Sequence, residues 1–111
     1  MVIRLGAVNM LIDAIIKTLQ RVFSPESFIS DSVLITPSGR DTLLYTDGQR
    51  SITVYSEVQT GRISRLVYAD DLLFWEQSGR KTPVTEQERN EIVENIKLYY
   101  GRLGETYQIR Y

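Results

Sequence analysis

The chain has 111 residues, 42% of them hydrophobic and 24% charged, with a formal net charge of −1 and a pI near 5.4. That is the length and composition of one ordinary globular domain, and so mild a charge argues against nucleic acid as a partner, because non-specific affinity for it depends on clustered Lys and Arg. There is no cysteine and no histidine, which removes disulfides, thiolate nucleophiles, Cys-rich zinc sites and the imidazole general base; no cofactor and no metal is expected.

The first element expected is a helix over residues 8–23. Leu11, Ile12, Ile15, Leu19 and Val22 recur at three- and four-residue steps, and Ser24 before Pro25 ends the run because the residue preceding a proline avoids helical angles. Residues 1–28 therefore read as an N-terminal helix and linker, and residues 29–111 as an α+β domain, within a single folding unit. Asn9 and Asp13 interrupt the apolar stretch and Lys17 follows. It lacks the form of a signal peptide and is too short and too charged to span a bilayer, so the expected place is the cytoplasm, with no membrane partner.

From residue 33 the period changes to two. Five strands are expected at 33–36, 42–46, 51–59, 62–69 and 72–76, separated by turns at Pro37 to Gly39, Asp47 and Gly48, Thr60 and Gly61, and Asp70 and Asp71. Short links between consecutive strands imply an antiparallel meander. With tips at Thr60 and Gly61 and at Asp70 and Asp71, Val54 faces Val67, Tyr55 faces Leu66, Val67 faces Phe74, Leu66 faces Trp75 and Arg65 faces Glu76. One side of the sheet then carries Ile52, Val54, Val67 and Phe74, with Arg65 and Glu76 paired at its edge. The other carries Tyr55, Leu66, Tyr68, Leu73 and Trp75. Both sides are apolar, and one helix does not hide both.

After the strands, Thr85 and Glu88 form a capping box, in which each side chain satisfies the other residue's backbone N–H. The helix they open presents Ile92, Val93, Ile96, Tyr99, Tyr100 and Leu103 on one side and is placed to end at Gly104. It is expected to pack on the face bearing Val54, Val67 and Phe74. The alternating tail over residues 106–110 suits a last strand. The fold class is thus α+β: a meander of about five antiparallel strands with a C-terminal amphipathic helix and an extra N-terminal helix.

Few motifs point to chemistry. Tyr68, Ala69, Asp70 and Asp71 spell the metal-binding turn of many reverse transcriptases, but a polymerase needs a further aspartate on a neighbouring strand and a basic template channel, for which this chain has neither length nor charge. A polar turn explains the four residues better. Trp75 reads as a core ring over Leu66 and Tyr55, in preference to an interface anchor. Seven tyrosines suit half-buried strands as well as recognition surfaces. Glu57, Asp70, Asp71 and Glu76 form either an acidic patch that speeds encounter with a basic partner or simply solvated turns, and both readings stay open. A glycosidase-like pair of carboxylates is not supported by these spacings.

One resemblance carries the reading further. Ser56 and Glu57 close a strand, Thr60 and Gly61 form a turn, and a short strand ends in Trp75 and Glu76. A loop with Pro83 then leads to Thr85, Glu86, Gln87, Glu88 and Arg89 at the start of an amphipathic helix. Together with Ile35, Thr36, Pro37 and Ser38 upstream, this pattern resembles the small immunity proteins of bacterial polymorphic toxin systems, in particular the immunity protein 74 family, over about residues 33–110. The resemblance implies a binder and not an enzyme: a cytoplasmic antidote that occludes the active surface of a cognate toxin. Glu57, Asp70 and Asp71 are the candidate contacts. The helix over residues 8–23 falls outside the resemblance, and the Asp70 and Asp71 turn is more acidic than it requires. The rival readings are a self-associating accessory protein of a phage or secretion system, dimeric through the N-terminal helix, and a carboxylate-based hydrolase.

Overall fold

The computed structural model describes residues 27–111. The helix expected over residues 8–23, and the homodimer that would use it, lie outside the described residues. Seven strands and one long helix follow in chain order: β1 (Val33–Gly39), β2 (Thr42–Asp47), β3 (Arg50–Val58), β4 (Arg65–Tyr68), β5 (Phe74–Gln77), β6 (Arg80–Pro83), α1 (Glu86–Leu103) and β7 (Tyr107–Arg110). The class is α+β. No helix among the described residues is long and apolar enough to cross a membrane.

The first three strands are a meander held by alternation. Val33, Ile35, Leu43, Tyr45, Ile52 and Val54 are buried, whereas Leu44, Thr53 and Tyr55 between them are exposed, as a sheet with one covered face requires. Antiparallel pairing runs from Val33 opposite Asp47 to Thr36 opposite Leu44, and from Asp47 opposite Arg50 to Thr42 opposite Tyr55. Gly48, at φ +63°, lets the chain reverse in two residues between Asp47 and Arg50.

The expected meander departs from the structure at two points. At the β3–β4 turn, Ser56 lies opposite Val67 and Glu57 opposite Leu66, two residues from the expected register. The link is a longer loop, closed by the Gln59 N–H donating to the Ser64 carbonyl at 2.9 Å, and not a two-residue tip at Thr60 and Gly61. Because the slip is even, Val54 and Val67 still share a face. At Asp70 and Asp71 the chain does not reverse at all. Ala69–Asp71 is one turn of 3-10 helix, after which the chain continues along the same edge of β3 as β5, with Ser51 opposite Glu76. Five residues along β3, from Ser56 to Ser51, thus correspond to nine along its partner, from Val67 to Glu76. The four extra residues are taken up by the 3-10 turn, whose Ala69 and the following Leu72 are buried.

This continuation reverses several expected placements. Trp75 joins Val67 on the covered face, with its ring 6.0 Å from that of Tyr45 and the Arg50 guanidinium 4.1 Å above it. Phe74 and Leu73 face out, so Trp75 does not stack on Tyr55 and Leu66. The pair of Arg65 with Glu76 does not form either. Arg65 Nε donates to Glu105 Oε2 at 3.1 Å and its Nη1 to the Arg40 carbonyl at 3.0 Å, while Glu76 lies in register with Lys81.

The sheet is also larger and mixed. β6 pairs with β5 through a turn in which Ser78 and Gly79 have φ of +51° and +77°, as a type I′ hairpin demands. β7 runs parallel to β4, from Arg65 opposite Tyr107 to Tyr68 opposite Arg110. A parallel neighbour needs a crossover, and α1 lies on that connection. Thr85 caps the helix as its sequence requires: Glu88 N donates to Thr85 Oγ1 at 3.1 Å and Thr85 N to Glu88 Oε1 at 3.0 Å. Gly104 ends it at φ +70°. Ile92, Val93, Ile96, Tyr99 and Tyr100 of α1 complete one core with the covered face of the sheet.

Candidate protein-binding face

The side of the sheet away from that core is made by the alternate residues of the same strands. One row crosses five strands in register: Leu34, Thr46, Ser51, Glu76 and Lys81. In the next row Thr36 lies opposite Leu44 and Leu44 opposite Thr53, while Phe74 of β5 lies opposite Pro83. Tyr55 follows two residues along β3. The result is a surface rich in threonine with large apolar side chains raised on it. Leu44 is 37% exposed, Tyr55 51%, Leu73 53% and Phe74 52%. Leu44, Thr53, Leu73 and Phe74 border a shallow groove of about 360 Å³, with Asp71, Glu76 and Lys81 also on its lining.

The carboxylates singled out in the sequence fall at the borders of this face. Asp71 and Glu76 share the groove. Asp70 is exposed beside Asp71 on the 3-10 turn. Glu57 is exposed farther along β3, where it accepts a hydrogen bond from the Tyr68 hydroxyl at 2.5 Å. That bond, more than any other influence, pushes the phenol's pKa above its ordinary value. The Arg110 guanidinium lies 5.6 Å from the Tyr68 ring. Glu57 therefore belongs to a small polar cluster at the β4 and β7 side, and Asp71 to the groove at the β5 side.

Arg65, Thr85 and Glu88 hold the fold and lie elsewhere. Glu88 closes the capping box and also accepts from Arg50 Nη1 at 2.5 Å. The Thr85 N–H and then Arg50 hold its carboxyl down at about 2, well below the usual carboxylate value. Arg50 thus ties the helix N-terminus to Trp75 and the β2–β3 turn, with Asp47 Oδ2 3.5 Å from its Nη2. On the covered side the Tyr100 hydroxyl and Ser56 Oγ share a buried hydrogen bond, and Asn95 Nδ2 donates to the Tyr45 hydroxyl at 2.7 Å. Burial pushes both phenols up.

Two further clefts flank the helix. One of about 510 Å³ runs between Asp47 of the β2–β3 turn and Glu91 and Glu94 of α1. The other, about 370 Å³, lies between the start of β2 and the end of α1, with Arg65 and Glu105 among its walls. Among the described residues no group of three or more carboxylates is arranged to hold a metal ion.

The sequence reading placed Leu73 on this face with Tyr55, and it left out Leu44 and Phe74. A signal for Phe74 existed: Leu72, Leu73, Phe74 and Trp75 are four successive large apolar residues, and a strand sends neighbouring side chains to opposite faces, so some of them had to point away from the core.

No curated protein and no solved structure matches the chain. A model of the family described as immunity protein 74 does match, over residues 35–109. That span begins in β1, ends in β7 and takes in part or all of every strand and the whole helix just described. The chain belongs to the immunity protein 74 family.

Proposed function

We propose that the protein is a non-catalytic antidote that binds a cognate bacterial toxin of a polymorphic toxin system and neutralises it in the cytoplasm by occluding its active surface. The observation that carries this reading is the family match, which spans the sheet and helix and so concerns the whole described fold and not a local motif. The exposed apolar and acidic sheet face supports it, because protein interfaces combine a desolvated aromatic centre with a polar rim. Glu57, Asp70 and Asp71 are the charged contacts. They act chiefly on encounter, since rim charges steer approach more than they hold the complex.

The test is co-expression with toxin domains taken from the genes that neighbour this one. Growth is expected to be restored by the chain, and the purified pair is expected to form a one-to-one complex. Asp70→Lys combined with Asp71→Lys should slow association, and the difference from the native chain should shrink in high salt. Cells that die equally with and without the chain would contradict neutralisation, and an unchanged association rate would contradict the role of the two aspartates.

A further inference from the structure

We propose that the toxin docks on the face of the sheet that no described residue covers, with an apolar side chain of the toxin seated in the groove between Leu44, Leu73 and Phe74 and basic toxin residues set against Asp70 and Asp71. This rests on the neutralisation reading and adds to it the surface and the chemistry of the partner.

Three observations select this face. The first is the concentration of apolar surface. Of the large hydrophobic side chains exposed among the described residues, Leu44, Tyr55, Leu73 and Phe74 stand on this one side of the sheet, and three of the four border a single groove. Contiguous exposed apolar surface on a rigid element marks an interaction site, whereas scattered exposed residues do not. The second is charge. Glu76 lies opposite Lys81 across the β5–β6 pair and Glu57 shares its cluster with Arg110, which leaves Asp71 as the groove's excess charge, with Asp70 exposed beside it. The partner that complements this is a protein surface with an apolar projection flanked by Lys or Arg. The third is preparation. The face is formed by paired strands whose other side is already packed against α1, so these strands need no ordering before docking. The cleft beside Asp47, Glu91 and Glu94 is acidic but has only Val33 and Tyr45 as apolar lining, both of them buried, so it offers no apolar anchor.

The experiment is hydroxyl-radical footprinting of the full chain, free and bound to the toxin domain, followed by binding measurements on Phe74→Asp. Tyr55 and Phe74 are expected to be oxidised in the free chain and protected in the complex. Phe74→Asp is expected to weaken binding roughly 100-fold, as loss of an interface anchor does, while Glu94→Lys in the other cleft leaves it unchanged. Four results overturn the proposal. If the native chain binds and neutralises the toxin but Tyr55 and Phe74 stay equally reactive, the docking face is elsewhere and neutralisation survives. If both are already protected in the dilute free chain, residues 1–26 occupy the face. If protection appears only as the free chain is concentrated, a second copy occupies it. If the native chain does not bind the toxin at all, this inference fails together with the neutralisation reading. Footprinting uses the native chain, so a folding defect in the substituted one does not obscure the answer.

Discussion

The two faces of the sheet are built from the same strands, yet they have opposite fates. On one, Val54, Val67 and Trp75 meet Ile92 and Ile96 of α1 and lose almost all contact with solvent. On the other, one residue away in each strand, Tyr55 and Phe74 keep half their surface exposed. Period-two geometry alone makes this division. What the contrast teaches is where each kind of residue acts: the covered face determines whether the protein folds, and the open face is free to be used for something else.

Neighbouring residues on β5 offer the largest separation of these roles. Trp75→Ala removes a buried ring that touches both Tyr45 and Arg50, and is expected to cost about 3–5 kcal/mol of stability. Phe74→Ala, one position earlier and half exposed, should change stability by no more than about 0.5 kcal/mol. Denaturant unfolding of the two variants measures both values. Equal losses would mean that Phe74 is packed, and the division of the sheet into a structural and a free face would fail.

A smaller effect is expected at the helix start, where pH distinguishes electrostatic capping from simple packing. Glu88 has its folded pKa depressed to about 2, against an ordinary value of 4.5. The carboxylate binds protons less readily in the folded state than in the unfolded one. Its contribution is therefore complete above about pH 4.5 and is lost as the pH falls toward 2. Glu88→Gln keeps an acceptor for the Thr85 N–H but removes the charge that faces it and Arg50, and should cost about 1 kcal/mol near neutral pH, the difference between a charged and a neutral acceptor. The gap from the native chain should narrow as the pH falls through that window. Thermal melting across the acidic range reads it, and a gap that stays constant would show that Glu88 acts through shape and not charge.

How much of this was legible beforehand differs by element for physical reasons. The capping box of Thr85 and Glu88, the stop at Gly104 and the alternation of β1 to β3 are local signals, and the structure has each of them; the apolar stripe of α1 is there from Ile92 to Tyr100, but Leu103, expected on it, is exposed. The expected tail strand is also present as β7, although its parallel pairing with β4 depends on a crossover that no local pattern announces. The course of the chain after Tyr68 was not legible. Two aspartates suit a hairpin tip and a 3-10 turn equally well, and the choice between them depends on whether Ala69 and Leu72 find a place in the core. That single choice moved Trp75 inside and Phe74 outside. β6 was missed because Arg80, Lys81, Thr82 and Pro83 are all exposed, and an edge strand with no buried side has no apolar alternation to betray it. The turn before it, Ser78 with Gly79, was the available clue. At the candidate face the acidic residues stood out in the sequence as charges. The apolar groove beside them arises only when β4 and β5 lie end to end along β3.

The comparison of the two faces is tested most directly on β3, where Val54 and Tyr55 are adjacent and point in opposite directions. The same charge is placed at each, Val54→Asp and Tyr55→Asp, and thermal melting is read alongside protection of cells that express the toxin. Val54→Asp buries an unpaired carboxylate and should abolish folding, at a cost above about 4 kcal/mol. Tyr55→Asp should melt like the native chain and fail to protect. Full protection by Tyr55→Asp would contradict the account.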